Sequence, residues 1–450
     1  MPNALAARTH RKITQRLMPF LLLLYITAYI DRINVSFAGL DMTKDLGFSN
    51  EVFGFGSGIF FIGYCLLEIP GAMLVEVWSA RRWISGIMVV WGVLAGFTGL
   101  IHSATEFSII RFLLGLAEGG FFPAIVVYLT HWYRNEERGR AIAMFMAAIP
   151  VSAMIGSPIS GLLMQLHWRG MPGWRWLLIL EGIPALLGGV ATFFYLPDWP
   201  RDARWLAPEE RDWITGELDR ENRAKKESGR HHHSILAAMR QPAVLAVAFS
   251  YFLVNTSSYG LVIWLPKIVQ RFSGLDTLKL SLLVAIPYLV SIPAMVINGW
   301  HSDRTGERRW HAATFALLGG VGLALSQVFG ANPAAALAAL TVAAVGVMAY
   351  YPALWAMPTH LLSERSAAAS FGLINLIANF GGFVGPYAIG FLTDRTGTYA
   401  AGVYLLVVTA ALGAVVIALA PHRKVGQAFR PAAGLPPGAP RGSAAAARKG

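Results

Sequence analysis

The chain has 450 residues, 55% hydrophobic and only 14% charged, with a mean hydropathy of +0.51. A soluble domain carries about 25% charged residues, so the composition argues against an ordinary soluble enzyme and fits a polytopic helical membrane protein, where Gly and interfacial Trp are enriched. The net charge of +12 belongs to loops, where topology selection puts it, so no nucleic-acid partner is expected. The single cysteine, Cys65, excludes an internal disulfide and a multi-cysteine metal site.

In chain order, residues 1–16 read as a cytoplasmic N-terminus. Twelve apolar segments follow, over 17–39, 52–77, 83–101, 105–130, 140–165, 175–196, 242–266, 279–301, 311–329, 334–360, 367–391 and 399–419. Most reach the roughly 20 residues that cross a bilayer. The first follows RTHRKITQR, is too long for a signal-peptide core and lacks a small-residue cleavage site, so it stays as an anchor. Within it, the stretch YITAYIDRINVSFAGL sets Asp31 beside Arg32 past the midpoint. An ionised side chain there costs at least about 2.5–3.5 kcal/mol.

The polar gap 197–241 divides the chain into two six-helix bundles, 17–196 and 242–419. Inside the gap, Pro208-Glu209-Glu210 opens an amphipathic surface helix with Trp213, Ile214 and Leu218 on one side. His231-His232-His233 reads as polar filler rather than a metal site. Residues 420–450, rich in Ala, Pro, Gly and Arg, read as a disordered cytoplasmic tail. With the N-terminus inside, 28 of the 37 Lys and Arg fall on the inner side and 7 on the outer. That bias places both termini in the cytoplasm.

The halves repeat at an offset of 227 residues. Glu76-VWSA-Arg81-Arg82 after segment 2 matches Asp303-RTGE-Arg308-Arg309 after segment 8; Glu137-Arg138 after segment 4 matches Glu364-Arg365 after segment 10. With Arg304, these loop residues form the expected cytoplasmic gate. A parallel six-plus-six repeat is the plan of a rocker-type transporter with its site between the halves.

Within the spans, Asp31, Arg32, Arg111 and Glu118 stand out. Arg111 and Glu118 are seven residues apart, so they share a helix face about 10 Å apart. Their counterparts at the offset, Ser258, Tyr259, Ala338 and Val345, are uncharged, and no charge is expected to interrupt the second-half spans. One reading is a static neutral lock between segments 1 and 4. The other is proton coupling through Asp31, Glu118 and Arg111. Arg111 keeps Glu118 ionised until an incoming carboxylate recruits an arginine, and the carboxylate left without a counter-ion takes up a proton. Arg32 is the first candidate for the substrate carboxylate. Tyr64, Trp355, Asn375, Asn379, Asn255 and Tyr259 are the further candidate contacts; the two asparagine positions 375 and 379 are four apart on one face, and buried amides need partners. Glu68 and Glu181 read as structural, with Glu68 close enough to the cytoplasmic end to meet Arg82 or Arg138. The GxxxG pairs Gly92/Gly96, Gly115/Gly119 and Gly381/Gly385 read as close packing within a monomer.

GWHSDRTGERR (299–309) resembles the loop 2–3 signature of the major facilitator superfamily. YIDRINVSFA, RFLLGLAEGGFFPA, GWRWLLILEGIPALL, LPDWPRDARWLAPEER and YGLVIWLPKIV, in that order, resemble its anion:cation symporter branch. The resemblance covers roughly 15–420 and implies twelve helices and proton-coupled symport of an organic carboxylate in a bacterial inner membrane. It also implies that Asp31, Arg32, Arg111, Glu118 and Asn375 sit at positions that handle protons and anions. The first-half loop departs from the signature at Val77 and Ser79, where a basic residue and Gly are usual. Tartrate-like dicarboxylates, sugar acids and aromatic acids are the implied substrates. An anion exchanger or uniporter on the same fold is the alternative, and a transporter-like ligand sensor a further one. No GxxxxGK[ST], nucleophile elbow or zinc motif is present, so no ATP, cofactor or enzymatic reaction is expected.

Overall fold

The computed structural model describes residues 2–227, 241–361 and 364–420; His231–His233 and the tail from 421 lie outside them. Among the described residues there are fifteen α-helices and no strand. They are α1 (Pro2–Asp45), α2 (Asn50–Val77), α3 (Ala80–Thr98), α4 (Ala104–Gly119), α5 (Phe121–Thr130), α6 (Asn135–Met146), α7 (Ala148–Leu163), α8 (Gly173–Tyr195), α9 (Pro208–Glu227), α10 (Pro242–Ser273), α11 (Thr277–Thr305), α12 (Arg309–Val328), α13 (Pro333–Leu361), α14 (Glu364–Thr396) and α15 (Ala400–Leu419).

All twelve apolar segments are helical. Two of them are broken, and proline places the breaks. Pro123 cannot donate to the carbonyl of Gly119, where α4 gives way to α5; Pro150 cannot donate to that of Met146, where α6 gives way to α7. Among the described residues, eleven helical spans are long and apolar enough to cross a membrane. The third segment, α3, is helical over 19 residues but begins with Ala80-Arg81-Arg82, which dilutes its apolar content. α1 runs unbroken from Pro2, so the expected N-terminal segment is helical and continuous with the first span.

Glycines let helix backbones touch. A Cβ on Gly115 would lie 1.9 Å from the Phe60 carbonyl oxygen, and one on Gly119 2.1 Å from that of Tyr64, so α4 lies directly on α2. Gly381 and Gly385 press on α10 and Gly92 on α8, whereas Gly96 faces open space. The first two GxxxG pairs named here and Gly92 thus serve packing inside the bundle, as expected.

The two halves join at the face opposite the chain termini. There Phe37, Leu40 and Phe53 of the first half share one apolar core with Trp264, Leu265 and Ile389 of the second. Gly54 meets the Pro386 carbonyl and Gly161 meets Ser281 across the same seam. Asp394 caps α2, accepting from the backbone amides of Asn50 (3.3 Å) and Glu51 (2.7 Å) and from Asn50 Nδ2 (2.8 Å). Toward the face that carries the termini, the halves have separate cores, one around Tyr128 and Trp132, the other around Tyr350 and Leu354.

The amphipathic helix α9 does not lie free on the surface. Ile214 and Leu218 are buried against the first half, and His10 meets Trp213 edge-on at 5.4 Å. Arg8 and Lys12 each reach Glu210 at 2.8 Å, and Glu221 accepts from the Asn135 amide at 2.9 Å. Ser79, the departure from the loop signature, caps α3 and donates to Asp198 of the central loop at 2.9 Å. Its hydroxyl does there what glycine has no side chain to do.

Two outcomes follow. Gly115→Val forces α4 off α2 and should lower stability by about 1–3 kcal/mol, read as a drop in melting temperature in detergent. Burial works to raise the Glu210 carboxyl, but Lys12, the Ala207 amide and Arg8 outweigh it and hold the group below the usual carboxylate range. Its docking contribution is therefore present above that range and lost as pH falls through the lowered value. Glu210→Ala at neutral pH should likewise release α9 and speed protease cleavage within 197–241.

Candidate functional site

A cavity partly open to solvent lies between the halves. On α1, Tyr25, Tyr29 and Arg32 follow one helix face at spacings of four and three and line it. All seven candidate substrate contacts line the same cavity: Arg32, Tyr64, Asn255, Tyr259, Trp355, Asn375 and Asn379, together with Arg111. Seven tyrosines, half of the chain's 14, also face it: Tyr25, Tyr29, Tyr64, Tyr251, Tyr259, Tyr288 and Tyr351. Only Tyr64 and Tyr259 were expected. The four-residue spacing of Tyr25 and Tyr29 is the sequence signal that marks a further pair.

The buried charges pair differently from their order in the chain. Arg32 Nε meets Glu118 Oε1 at 2.5 Å, and Tyr29 and Tyr64 rings flank the guanidinium at 4.8 Å each. Asp31 turns away: it accepts from Trp91 Nε1 at 2.9 Å and Asn34 Nδ2 at 3.1 Å. Successive helical residues point about 100° apart, so neighbours in sequence do not face each other. The side-by-side Asp31 and Arg32 are therefore not each other's partners. The expected engagement of Glu118 by Arg111 is also corrected. Two turns along one helix is too far for direct contact, and Arg32 reaches Glu118 from α1 instead. Arg111 packs over Phe60 at 4.7 Å and has no ion pair within 4.0 Å among the described residues. The second carboxylate oxygen of Glu118 is buried without a hydrogen bond.

Across the cavity, Asn375 Nδ2 donates to Glu68 Oε1 and Asn379 Nδ2 to Glu68 Oε2 at 3.0 Å. Glu68 thus meets neither Arg82 nor Arg138, the partners its place near the cytoplasmic end allowed; its partners come from the other half. The Asn255 amide is engaged at both ends, donating to the Ala378 carbonyl at 3.0 Å and accepting from Tyr351 at 2.9 Å. Glu181 accepts from Ser160 at 3.1 Å.

The second half is not free of charge within its helices. α10 continues through Pro266 to Ser273, past the expected end at 266, so Lys267 falls inside it. Lys267 is buried, donates to Thr43 at 3.2 Å and lies 4.3 Å from the Phe53 ring.

The expected gate residues pair within their own halves or with the central segment 197–241. Arg81 lies 3.9 Å from Asp198, Glu137 meets Arg134 at 3.0 Å, Arg138 lies 3.7 Å from Glu221, and Asp303 meets Arg308 at 2.5 Å. Glu76, Arg82 and Arg304 are exposed. The side chains of Glu364 and Arg365 lie outside the described ones. Among the described residues no ion pair joins the halves at the face of the termini.

The Asp31 contact yields a test. Trp91→Phe keeps an aromatic ring beside Phe121 but removes a donor from a buried carboxylate, and should cost about 1–3 kcal/mol, visible as a lower melting temperature.

Residues 21–386 match the Major Facilitator Superfamily. A protein of Agrobacterium vitis named "Putative tartrate transporter" is 44% identical over 428 residues, covering 94% of this chain and 98% of its own. An Acinetobacter baumannii protein named "Quinolone resistance transporter" is 38% identical, covering 90% and 92%. The inward-open structure of the xylose transporter XylE from E. coli superposes with a TM-score of 0.71 at 16% identity, covering 92% of this chain and 97% of that one. With its twelve helical segments in two six-helix halves around a central cavity, the chain is a multi-pass membrane protein and belongs to the Major Facilitator Superfamily of transporters.

Proposed function

We propose that this transporter is a proton-coupled symporter that imports a small organic carboxylate by alternating access. The observation that carries the reading is the Arg32–Glu118 ion pair at the cavity wall. A guanidinium held by one carboxylate is a ready-made exchange site for another. When the substrate carboxylate takes Arg32, Glu118 is left in a buried site without its counter-ion and binds a proton, because an uncompensated buried charge is costly. Substrate and proton load together, and the neutralised site crosses between access states. Arg111 keeps the local potential positive as the anion arrives. Asp31, fixed by Trp91 and Asn34, tunes the same cluster from behind.

The name of the Agrobacterium vitis relative supports a hydroxycarboxylate cargo. That of the Acinetobacter baumannii relative favours a second reading, export of an aromatic acid by proton exchange on the same frame. The direction of proton movement separates the two. The two bundles, 17–196 and 242–419, rock about the cavity, and the protein works as a monomer, with its close glycine contacts spent inside the bundle. The excess of Lys and Arg on one side supports an inner-membrane placement with both termini cytoplasmic. The shared core at the opposite face and the separate cores near the termini then correspond to a form closed to the outside.

Purified protein in liposomes loaded with a pH dye tests the reading. External addition of the transported carboxylate should acidify the interior, and lowering the external pH should speed uptake. Glu118→Gln should abolish accumulation driven by the gradient while leaving counterflow exchange. Uptake without internal acidification points to exchange or uniport, and internal alkalinisation to export coupled to proton entry.

A further inference from the structure

The symport reading uses Glu118 and leaves Glu68 without a task. Glu68 is 5% exposed, sits on α2 in the first half, and is held by two amides of α14 in the second. Asn375 and Asn379 both line the cavity. They are four residues apart, so their side chains share a helix face and both aim at one carboxylate. Paired amide donors that close on a carboxylate are a carboxylate-binding clamp, and here the carboxylate belongs to the protein.

The same arrangement recurs at Arg32, whose guanidinium is filled by Glu118. The cavity therefore has two carboxylate-accepting donor sets, each occupied by a glutamate of the chain. Tyr64 relates them in space. Its ring lies 4.8 Å from the Arg32 guanidinium, and Glu68 follows it by four residues, about 6 Å along the helix. Both clamps open on the one cavity, and Arg32 bears electrostatically on Glu68, so a ligand with a carboxylate at each end meets donors at both.

We propose that the Asn375–Asn379 clamp is the subsite for a second substrate carboxylate, that Glu68 is its resident competitor, and that the transporter prefers a short dicarboxylate. Each substrate carboxylate displaces one glutamate. Glu118 released from Arg32 and Glu68 released from the amides each take one proton onto a carboxylate oxygen, so a dianion enters with two protons and no net charge. A monocarboxylate that engages only Arg32 leaves Glu68 clasped and carries one. The charged and titratable groups that bear on Glu68 are Arg32 on α1 and Tyr64 and Cys65 on α2; the two asparagines of α14 do not titrate. The release of Glu68 also unties α2 from α14, which links occupancy of the second subsite to movement of one half against the other.

The inference rests on the symport reading, and its test separates the two. Tartrate and threonate share a four-carbon chain and differ in one carboxylate. Their dissociation constants for the purified protein are measured as pH rises on the alkaline side of neutrality. Affinity should fall about tenfold per pH unit for each proton taken up, so the tartrate slope should exceed the threonate slope by one proton. Glu68→Gln, whose side-chain carbonyl still accepts from the asparagines, should erase that difference and make tartrate uptake sensitive to membrane potential. Asn375→Ala is the second variant and should weaken tartrate more than threonate. Equal slopes in the wild type, a difference that survives Glu68→Gln, or equal weakening by Asn375→Ala overturns the role of Glu68 while leaving Glu118-coupled symport intact. Failure of tartrate to bind overturns this proposal; loss of Glu118-dependent acidification with every carboxylate overturns the reading beneath it.

Discussion

Arg32 is buried in the middle of a spanning helix, and the carboxylate of Glu118 compensates it at 2.5 Å. A lone cation there would be expensive, so α1 and α4 must lie at the separation that this pair permits. Much of the neighbouring structure serves that distance. Gly115 and Gly119 let α4 rest on the backbone of α2. Tyr29 and Tyr64 flank the guanidinium with rings, which removes water without removing electrostatic support. The pair compensates the buried cation, and in the proposed mechanism a substrate carboxylate takes the place of Glu118.

The cavity is polar in an economical way. Nearly half of its lining residues are aromatic, and tyrosine hydroxyls supply adaptable donors without adding charge. The fixed charges are few and placed at the first-half wall, while the second half contributes amides and tyrosines. Such a division suits a site shared between two moving bodies. Ion pairs hold strongly in a membrane interior; amide hydrogen bonds are easier to break and remake. The links that cross from one half to the other near the cavity include side-chain hydrogen bonds rather than ion pairs: the amides of Asn375 and Asn379 to Glu68, and the Cys65 thiol to the Leu376 carbonyl.

The opposite face is built differently. There the halves meet through a shared apolar core, through glycines pressed against backbone, and through Asp394 capping α2. Near the termini, each half instead ties up its own loop charges, and α9 is tethered to the first half through Glu210 and Glu221. Lys267, buried on the joined side, gives the second half a cation of its own.

Spanning segments, the two-fold repeat and the buried charges were legible in the sequence because each rests on a local property: apolar run length, a fixed offset of 227, or a charged residue where hydrocarbon is expected. The seven cavity candidates were also legible, because a polar side chain inside an apolar span has few places to go. What the sequence could not decide was pairing. Asp31 and Arg32 are adjacent in the chain yet point to different helices, and Glu118 finds Arg32 rather than Arg111, because helix geometry sends neighbours apart and brings together residues 86 positions distant. Glu68 looked like a structural residue until α14 was laid against α2, and Lys267 looked like a loop residue until α10 was seen to run through Pro266. Composition and periodicity determine which residues must be compensated in a membrane; only the packing of the helices decides by what.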